Sequence, residues 1–153
     1  MMTRVKLGDI FEIKTAKGNA YFQCVHSDKL EGELIKVFNH NFEERPKAIE
    51  ELLKVEDCYY VGFPLKYALK QKIVEHVGMI PIPKGFKKPR YTRSKHVIRG
   101  EFRGWHITDS ETGKMVLVQE LTEEQKQLSP TGIVNDTYLI ERLEEGWALD
   151  SWV

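Results

Sequence analysis

Apolar and polar residues alternate through the first third of the chain, as they do in the strands of an antiparallel sheet. The alternation runs through residues 11–13, 21–25 and 34–38. Segments with glycine separate these runs, residues 17–19 as a tight hairpin turn and residues 31–33 as a second break. The pattern therefore predicts a meander of three short antiparallel strands.

A helical period follows in the middle of the chain. Pro46 can begin a helix that carries Ile49 and Leu52 on its apolar side. Residues 58–63 are aromatic and β-branched enough for a fourth strand, and Pro64 can begin a second short helix. Short helices are thus expected to interrupt a chain that is otherwise built of strands.

The second half of the chain contains the clearest hairpin. Residues 73–74 and 77–82 favour a further strand. After it, apolar residues alternate on both sides of the polar turn formed by residues 109–113. We expect two paired strands around that turn.

The last thirty or so residues carry signals for helix ends. Thr122 and Gln125 form a capping-box pattern for a helix that Pro130 would stop. Asn135 or Asp136 can cap a final helix, and Gly146 can end it. The carboxyl end is therefore predicted to be helical.

The order of these elements predicts an α+β fold. The expected architecture is a strongly bent antiparallel sheet or a small, partly open β-barrel, with short inserted helices and a helical carboxyl end. A chain of 153 residues has the size of one ordinary domain, so residues 1–153 are expected to form a single domain.

The charges balance overall but are unevenly placed. The chain has 23 Lys and Arg residues against 23 Asp and Glu residues. Residues 84–103 contain a single acid, Glu101, and eight cations: Lys84, Lys87, Lys88, Arg90, Arg93, Lys95, Arg99 and Arg103. From Asp109 onward acids dominate. This segregation indicates contacts that are guided by charge.

The eight cations could form a nucleic-acid interface. Phe86, Tyr91, Phe102 and Trp105 interleave with them, and aromatic stacking with phosphate neutralisation is how single strands are held. Against this hypothesis, the sequence pI is near 7.0 and no RNP-like or helix-turn-helix pattern is present. Nucleic-acid binding is therefore the alternative interpretation.

The acidic end could dock a basic protein. Trp147 and Trp152 lie near its end, and tryptophan serves both as core filling and as an interface anchor. We expect Trp147 in the core, whereas the sequence leaves the role of Trp152 open.

Two cysteines and five histidines are the candidates for chemistry. Cys24 and His26 lie on one face of a predicted strand and could share a metal with Cys58 or His40. Two ligands close in sequence fall short of the four that a structural zinc site needs, so reduced, partly buried thiols are expected.

A nucleophilic pair of Cys58 with His76 or His106 is the second chemical option. Neither a helix amino end nor a family signature surrounds this thiol. We therefore expect no enzyme.

The amino end, residues 1–11, lacks the apolar core of a secretory signal, and no apolar run approaches the roughly 18 residues of a membrane span. The expected location is the cytoplasm.

Three segments resemble a known family. Gly8 and Asp9 begin a Gly-Asp-x-Phe-x-Ile strand, Gly18 and Tyr21 follow in the next strand, and residues 139–146 close the chain with a helix and a glycine. In these segments the chain resembles the immunity protein family 26 of bacterial polymorphic toxin systems.

The resemblance implies a non-catalytic protein that neutralises a cognate toxin by stoichiometric binding, with no cofactor or metal. A nuclease-like, basic toxin would suit the acidic end, and charged residues would then speed the encounter while aromatics supply affinity. The contact residues expected there are Glu141, Glu144, Glu145 and Trp152. The toxin, the charged face that meets it and the oligomeric state stay open at this point.

Overall fold

The computed structural model describes residues 4–29 and 32–153, which form two antiparallel sheets. The strands of the large sheet are β1 (Asp9–Thr15), β2 (Gly18–Asp28), β3 (Gly32–Phe42), β4 (Cys58–Phe63) and β5 (Val74–Met79). Those of the small sheet are β6 (Tyr91–Ile98), β7 (Glu101–Asp109) and β8 (Met115–Val118). The strand orders are β4-β3-β2-β1-β5 and β6-β7-β8.

Helices are few and short. The α-helices are α1 (Leu65–Lys70) and α2 (Asp136–Glu145), and 3-10 segments lie at Ile49–Lys54, Gln125–Gln127 and Leu149–Ser151. The predicted α+β class is confirmed, and the sheets do not close into a barrel. In the part of the chain that the structure describes, no helix combines the length and apolar character needed to cross a membrane.

The large sheet is buried on both faces, which explains why β2 carries an unbroken run of buried residues from Ala20 to Val25. On one face Phe22 packs in a cluster with Leu139 of α2. On the other face Tyr21 packs with Leu52 of the 3-10 segment Ile49–Lys54. Helical segments thus cover both faces of the sheet.

The predicted turns and strands of the amino half are largely confirmed. Thr15 pairs with Gly18 across the first hairpin, and a Cβ at Gly18 would come within 2.4 Å of the Phe42 carbonyl oxygen. Gly18 also has a positive φ of 137°, so glycine is required there on two counts. Glu31 of the second predicted turn lies outside the described residues.

Residues 129–134 join the two sheets. The first half of this segment bonds to Arg93 of β6 through two backbone hydrogen bonds of 3.0 Å. Its second half bonds to Gly62 of β4 through backbone hydrogen bonds of 3.0 and 2.9 Å. The edge strands β4 and β6 of the two sheets are therefore connected through this joining segment.

Strand β6 was missed by the sequence pattern. Its buried position in the middle is occupied by Arg93 instead of an apolar residue, and this removes the alternation on which strand prediction depends. A charged residue at an interior position is rare, so the segment reads as a solvated basic run.

Two predicted helices are shorter than expected. The helix predicted from Pro46 is a 3-10 segment that begins at Ile49, without a side-chain cap. Thr122 and Gln125 do form the reciprocal capping-box bonds of 2.9 and 3.1 Å, but only the 3-10 segment Gln125–Gln127 follows. The chain leaves the helical path because Ser129 and its neighbours bond to β4 and β6.

Candidate binding surfaces and cavity

The acidic residues of α2 divide into exposed and structural ones. Glu141 and Glu145 are exposed on the outer side of the helix. Glu144 is half-buried, and its carboxylate accepts a hydrogen bond of 2.6 Å from the backbone N–H of Ala16. Glu144 thus ties α2 to the turn between β1 and β2, and two of the three predicted glutamates remain available at the surface.

Trp152 lies half-buried in a stack of side chains. Its ring is 4.9 Å from the Trp105 ring and 5.5 Å from the Trp147 ring. The guanidinium of Arg93 lies 4.5 Å from the centre of the Trp152 ring. These contacts hold the carboxyl end against the small sheet, so they give Trp152 a packing role.

Arg93 is fully buried, which removes it from the basic surface that the sequence suggested. Its guanidinium donates hydrogen bonds to four carbonyl oxygens in the carboxyl third: Lys126, Leu128, Leu149 and Trp152. Burial lowers the pKa of Arg93 to about 10, and the group is still charged at neutral pH. It acts as a cationic clamp between β6 and the end of the chain.

Arg142 is a second buried arginine, on the inner side of α2. Its guanidinium carbon lies 4.3 Å from the Tyr138 ring centre and 4.1 Å from that of Trp147, and it donates a 2.9 Å hydrogen bond to the Tyr138 hydroxyl. The sequence held one signal for this placement, since Arg142 lies beside Leu139 and Leu143 in the helical period.

The other predicted cations are dispersed. Arg90 pairs with Asp109 at 3.2 Å, and Arg103 pairs with Glu101 at 2.9 Å. Lys88 lines the cavity described below. The cations left exposed without an ion pair among the described residues are Lys84, Lys87, Lys95 and Arg99.

Cys24 and Cys58 are free thiols, and the fold raises the pKa of each. Burial raises the pKa of Cys24 to about 11 and also raises the pKa of Cys58, so both are protonated at neutral pH. Cys58 and His76 lie on the two outer strands of the large sheet, about 19 Å apart at the usual strand spacing. Among the described residues no three His, Cys, Asp or Glu side chains form a group that could hold a metal ion.

The small sheet exposes an apolar edge. On β8, Met115, Val116 and Leu117 are 59%, 60% and 48% exposed, and no described strand pairs with the outer side of β8. Val116 shares a face with Ile107, whereas Met115 and Leu117 lie on the opposite face. We call these three residues the β8 edge.

Two further apolar residues are exposed at the other end of the small sheet, next to the β6–β7 turn. Val97 and Phe102 face each other across β6 and β7, and each is about half exposed. The sequence predicted the β7–β8 hairpin, but alternation alone indicates a half-buried strand and cannot show that β8 has no neighbour on its outer side.

A cavity of about 360 Å³ lies where the two sheets meet the joining segment. Leu34 and Tyr60 of the large sheet, Pro130 of the joining segment, and Thr92 and Thr108 of the small sheet all line it. Residues from separate parts of the chain meet there, where residues 129–134 bridge β4 and β6.

The polar groups around this cavity differ in whether they have hydrogen-bond partners. Thr131 donates a 2.7 Å hydrogen bond to Thr92, and Glu33 accepts a 3.3 Å bond from Ser27. The hydroxyl oxygen of Thr108 is buried and has no hydrogen-bond partner among the described residues. Burial raises the pKa of the Tyr60 phenol, which is therefore neutral at physiological pH.

Comparisons of the chain with protein-family models, curated proteins and solved structures found no match.

Proposed function

We propose that this chain works by binding another protein along the β8 edge, as a non-catalytic immunity protein in the bacterial cytoplasm that neutralises a cognate toxin. The observation that carries the proposal is the exposure of Met115, Val116 and Leu117 on a strand whose outer side is unpaired among the described residues. Folded proteins usually cover or charge such an edge, and an uncovered apolar one is a common site for a partner.

Strand addition is the binding mode that fits this geometry. An extended segment of the partner would pair with the backbone of β8 and place apolar side chains on both faces of the small sheet. Full burial of a large aliphatic side chain contributes roughly 1.5–3 kcal/mol, so three such residues can supply a substantial part of a stable interface.

The partner class rests on the sequence resemblance in β1, β2 and α2. Under the proposal, Glu141 and Glu145 form a second, charged contact that guides a basic toxin toward the molecule. Glu144 and Trp152 are left out of that contact because both are engaged within the fold.

Nucleic-acid binding has less support from the placement of the basic residues. Arg93 is buried, and Arg90 and Arg103 are ion-paired with neighbouring acids. Trp105, one of the aromatic residues that were expected to stack on bases, is buried, and the exposed cation Lys95 lies over its ring.

A capture experiment with matched variants tests the proposal. The full chain, Val116→Glu and Leu53→Glu are immobilised and exposed to nuclease-treated lysate of the source cells. Leu53 is a suitable control because it is 56% exposed, close to the values for the β8 edge, and lies on the distant 3-10 segment Ile49–Lys54. We expect one protein to be retained by the full chain and by Leu53→Glu, and to be lost from Val116→Glu.

Neutralisation is then measured by co-expression. The captured protein should arrest growth when expressed alone, and the full chain but not Val116→Glu should restore growth. Equal capture by Val116→Glu would overturn the β8 edge as the contact, and material released by nuclease or by rising salt would favour nucleic-acid binding.

A further inference from the structure

We propose that in the free protein a second copy of this chain pairs with the β8 edge, so that two three-stranded small sheets form one continuous antiparallel sheet. The dimer uses the same edge as the proposed function but needs no toxin. A toxin that binds by strand addition would displace the second copy, and until then the dimer covers the exposed apolar strand.

The backbone groups of β8 alternate between the two sides of the strand. The Lys114 carbonyl oxygen accepts a 2.9 Å hydrogen bond from the last residue of β7, and a Cβ on Gly104 would lie 2.7 Å from the Val118 carbonyl oxygen. Lys114 and Val118 therefore direct their backbone groups toward β7. Because the direction alternates along an antiparallel strand, the N–H and C=O groups of Met115 and Leu117 point to the unpaired side.

A second copy matches these groups in one register. With Val116 opposite Val116 of the second copy, Met115 lies opposite Leu117 of that copy, and each such pair exchanges two backbone hydrogen bonds. A register with Leu117 opposite itself would need Gln119, which lies beyond the end of β8. A register with Met115 opposite itself would need Gly113, which has a φ of 76° in the turn. The register centred on Val116 therefore uses only the regular strand.

The same register covers the apolar side chains of both copies. The two Val116 side chains meet on the face that carries Ile107, and Met115 meets Leu117 of the second copy on the opposite face. In the single chain the three residues of the β8 edge are between 48% and 60% exposed. Each is removed from water against an apolar neighbour, which favours the paired state.

Charges at the ends of the strand also favour a second copy. Lys114 and Glu120 are exposed, and neither has an ion pair among the described residues. In the paired register Lys114 lies opposite Val118 of the second copy, two residues from its Glu120, and long side chains reach across such a diagonal. Two-fold symmetry produces this contact twice. The chain has no formal net charge, so two copies do not repel each other at long range.

Reversal of the end charges tests whether two copies meet in this way. Sedimentation equilibrium of the purified full chain at low salt should show a monomer–dimer equilibrium with a Kd below about 100 μM, as expected for a small interface. Lys114→Glu and Glu120→Lys should each weaken the dimer about tenfold, because both end contacts become repulsive. An equimolar mixture of the two variants should dimerise as the full chain does, since opposite charges then face each other at both ends.

Two matched variants control for the change of net charge. Lys54→Glu and Glu56→Lys make the same reversals at exposed positions at the end of the distant 3-10 segment Ile49–Lys54. Both should leave the Kd of the dimer unchanged. Thermal unfolding of all four variants should give a Tm near that of the full chain, because the altered side chains are exposed.

Amide hydrogen exchange reports the backbone pairing directly. The N–H groups of Met115 and Leu117 should exchange more slowly as the protein concentration rises, because only the second copy supplies their acceptors. The N–H of Val116 points toward β7 and should already be protected at low concentration.

Three outcomes would overturn the proposal: the full chain sediments as a monomer at every concentration, the mixture of the two charge variants stays monomeric, or the Met115 and Leu117 amides exchange at a rate independent of concentration. The proposed function fails separately. A monomeric chain that still captures the toxin would remove only the dimer, whereas a dimeric chain that captures no protein would remove only the proposed function.

Discussion

At the scale of single residues, two buried arginines organise the carboxyl end. The Arg93 guanidinium contacts both the Trp105 and the Trp152 ring, 4.9 and 4.5 Å from their centres, and Arg142 lies against Trp147. Guanidinium suits this position because it is planar, stacks on aromatic rings and donates several hydrogen bonds in a fixed fork. A count of charges along the sequence cannot distinguish such a cation from a solvated one.

Replacement of Arg93 tests this role. Arg93→Met should lower the free energy of unfolding by about 3 kcal/mol, because four carbonyl oxygens, that of Leu149 in a fully buried bond, lose their donor. Urea unfolding followed by tryptophan fluorescence would measure the loss, since Trp105 and Trp152 flank the guanidinium.

Two further variants control for the loss of a positive charge. Arg99→Met removes an exposed cation in the β6–β7 turn and should leave stability close to that of the full chain. Arg93→Lys keeps the charge but loses the planar fork, and we expect it to be nearly as destabilised as Arg93→Met. A stable Arg93→Lys protein would contradict the clamp role.

At the scale of elements, the sequence predicts a helix end correctly where the capping residues lie close to that end in the chain. The side chain of Asn135 accepts a 2.8 Å hydrogen bond from the backbone N–H of Tyr138, and Gly146 takes the left-handed conformation with a φ of 72°. Both ends of α2 were therefore visible in the sequence. At Thr122 the cap forms as well, but the pairing of residues 129–134 with both sheets leaves no room for a longer helix.

The N-cap of α2 contributes measurably to the stability of the protein. Asn135→Ala should lower the free energy of unfolding by about 1 kcal/mol, because the N–H of Tyr138 loses its acceptor. Thermal unfolding followed by circular dichroism would report the change. Asn135→Asp retains a capping oxygen and should stay near the full chain, and an equal loss in both variants would argue against the cap.

At the scale of the whole molecule, the joining segment determines how the two sheets meet. It crosses closely over β4 at Gly62, where an added Cβ would lie 2.7 Å from Cγ1 of Ile133 and 3.0 Å from the Gly132 carbonyl oxygen. Residues of β4 and of the joining segment, among them Tyr60 and Pro130, also line the cavity. The absence of a side chain at Gly62 thus permits this close crossing.

Gly62→Ala should therefore destabilise the protein by about 1–3 kcal/mol through overpacking. The double variant Gly62→Ala with Ile133→Ala removes the nearer clash and should be more stable than the sum of the two single effects. Chemical denaturation of the two single variants and the double variant, each compared with the full chain, gives the coupling free energy between the two substitutions. Simple additivity would show that Gly62 is not held against the joining segment.

The sequence by itself determined the local features of this protein: the first hairpin, the β7–β8 hairpin, the caps of α2 and the α+β class. Each depends on residues close together in the chain, where periodicity and turn chemistry operate. Tertiary structure alone decided the burial of Arg93, the outer side of β8, which pairs with no described strand, and the cavity between the sheets. Those features depend on contacts between segments that are distant in sequence. Such contacts bury the charge of Arg93 because its N–H donors find acceptors there. Whether a strand lies at an edge is likewise set by which other strands reach it.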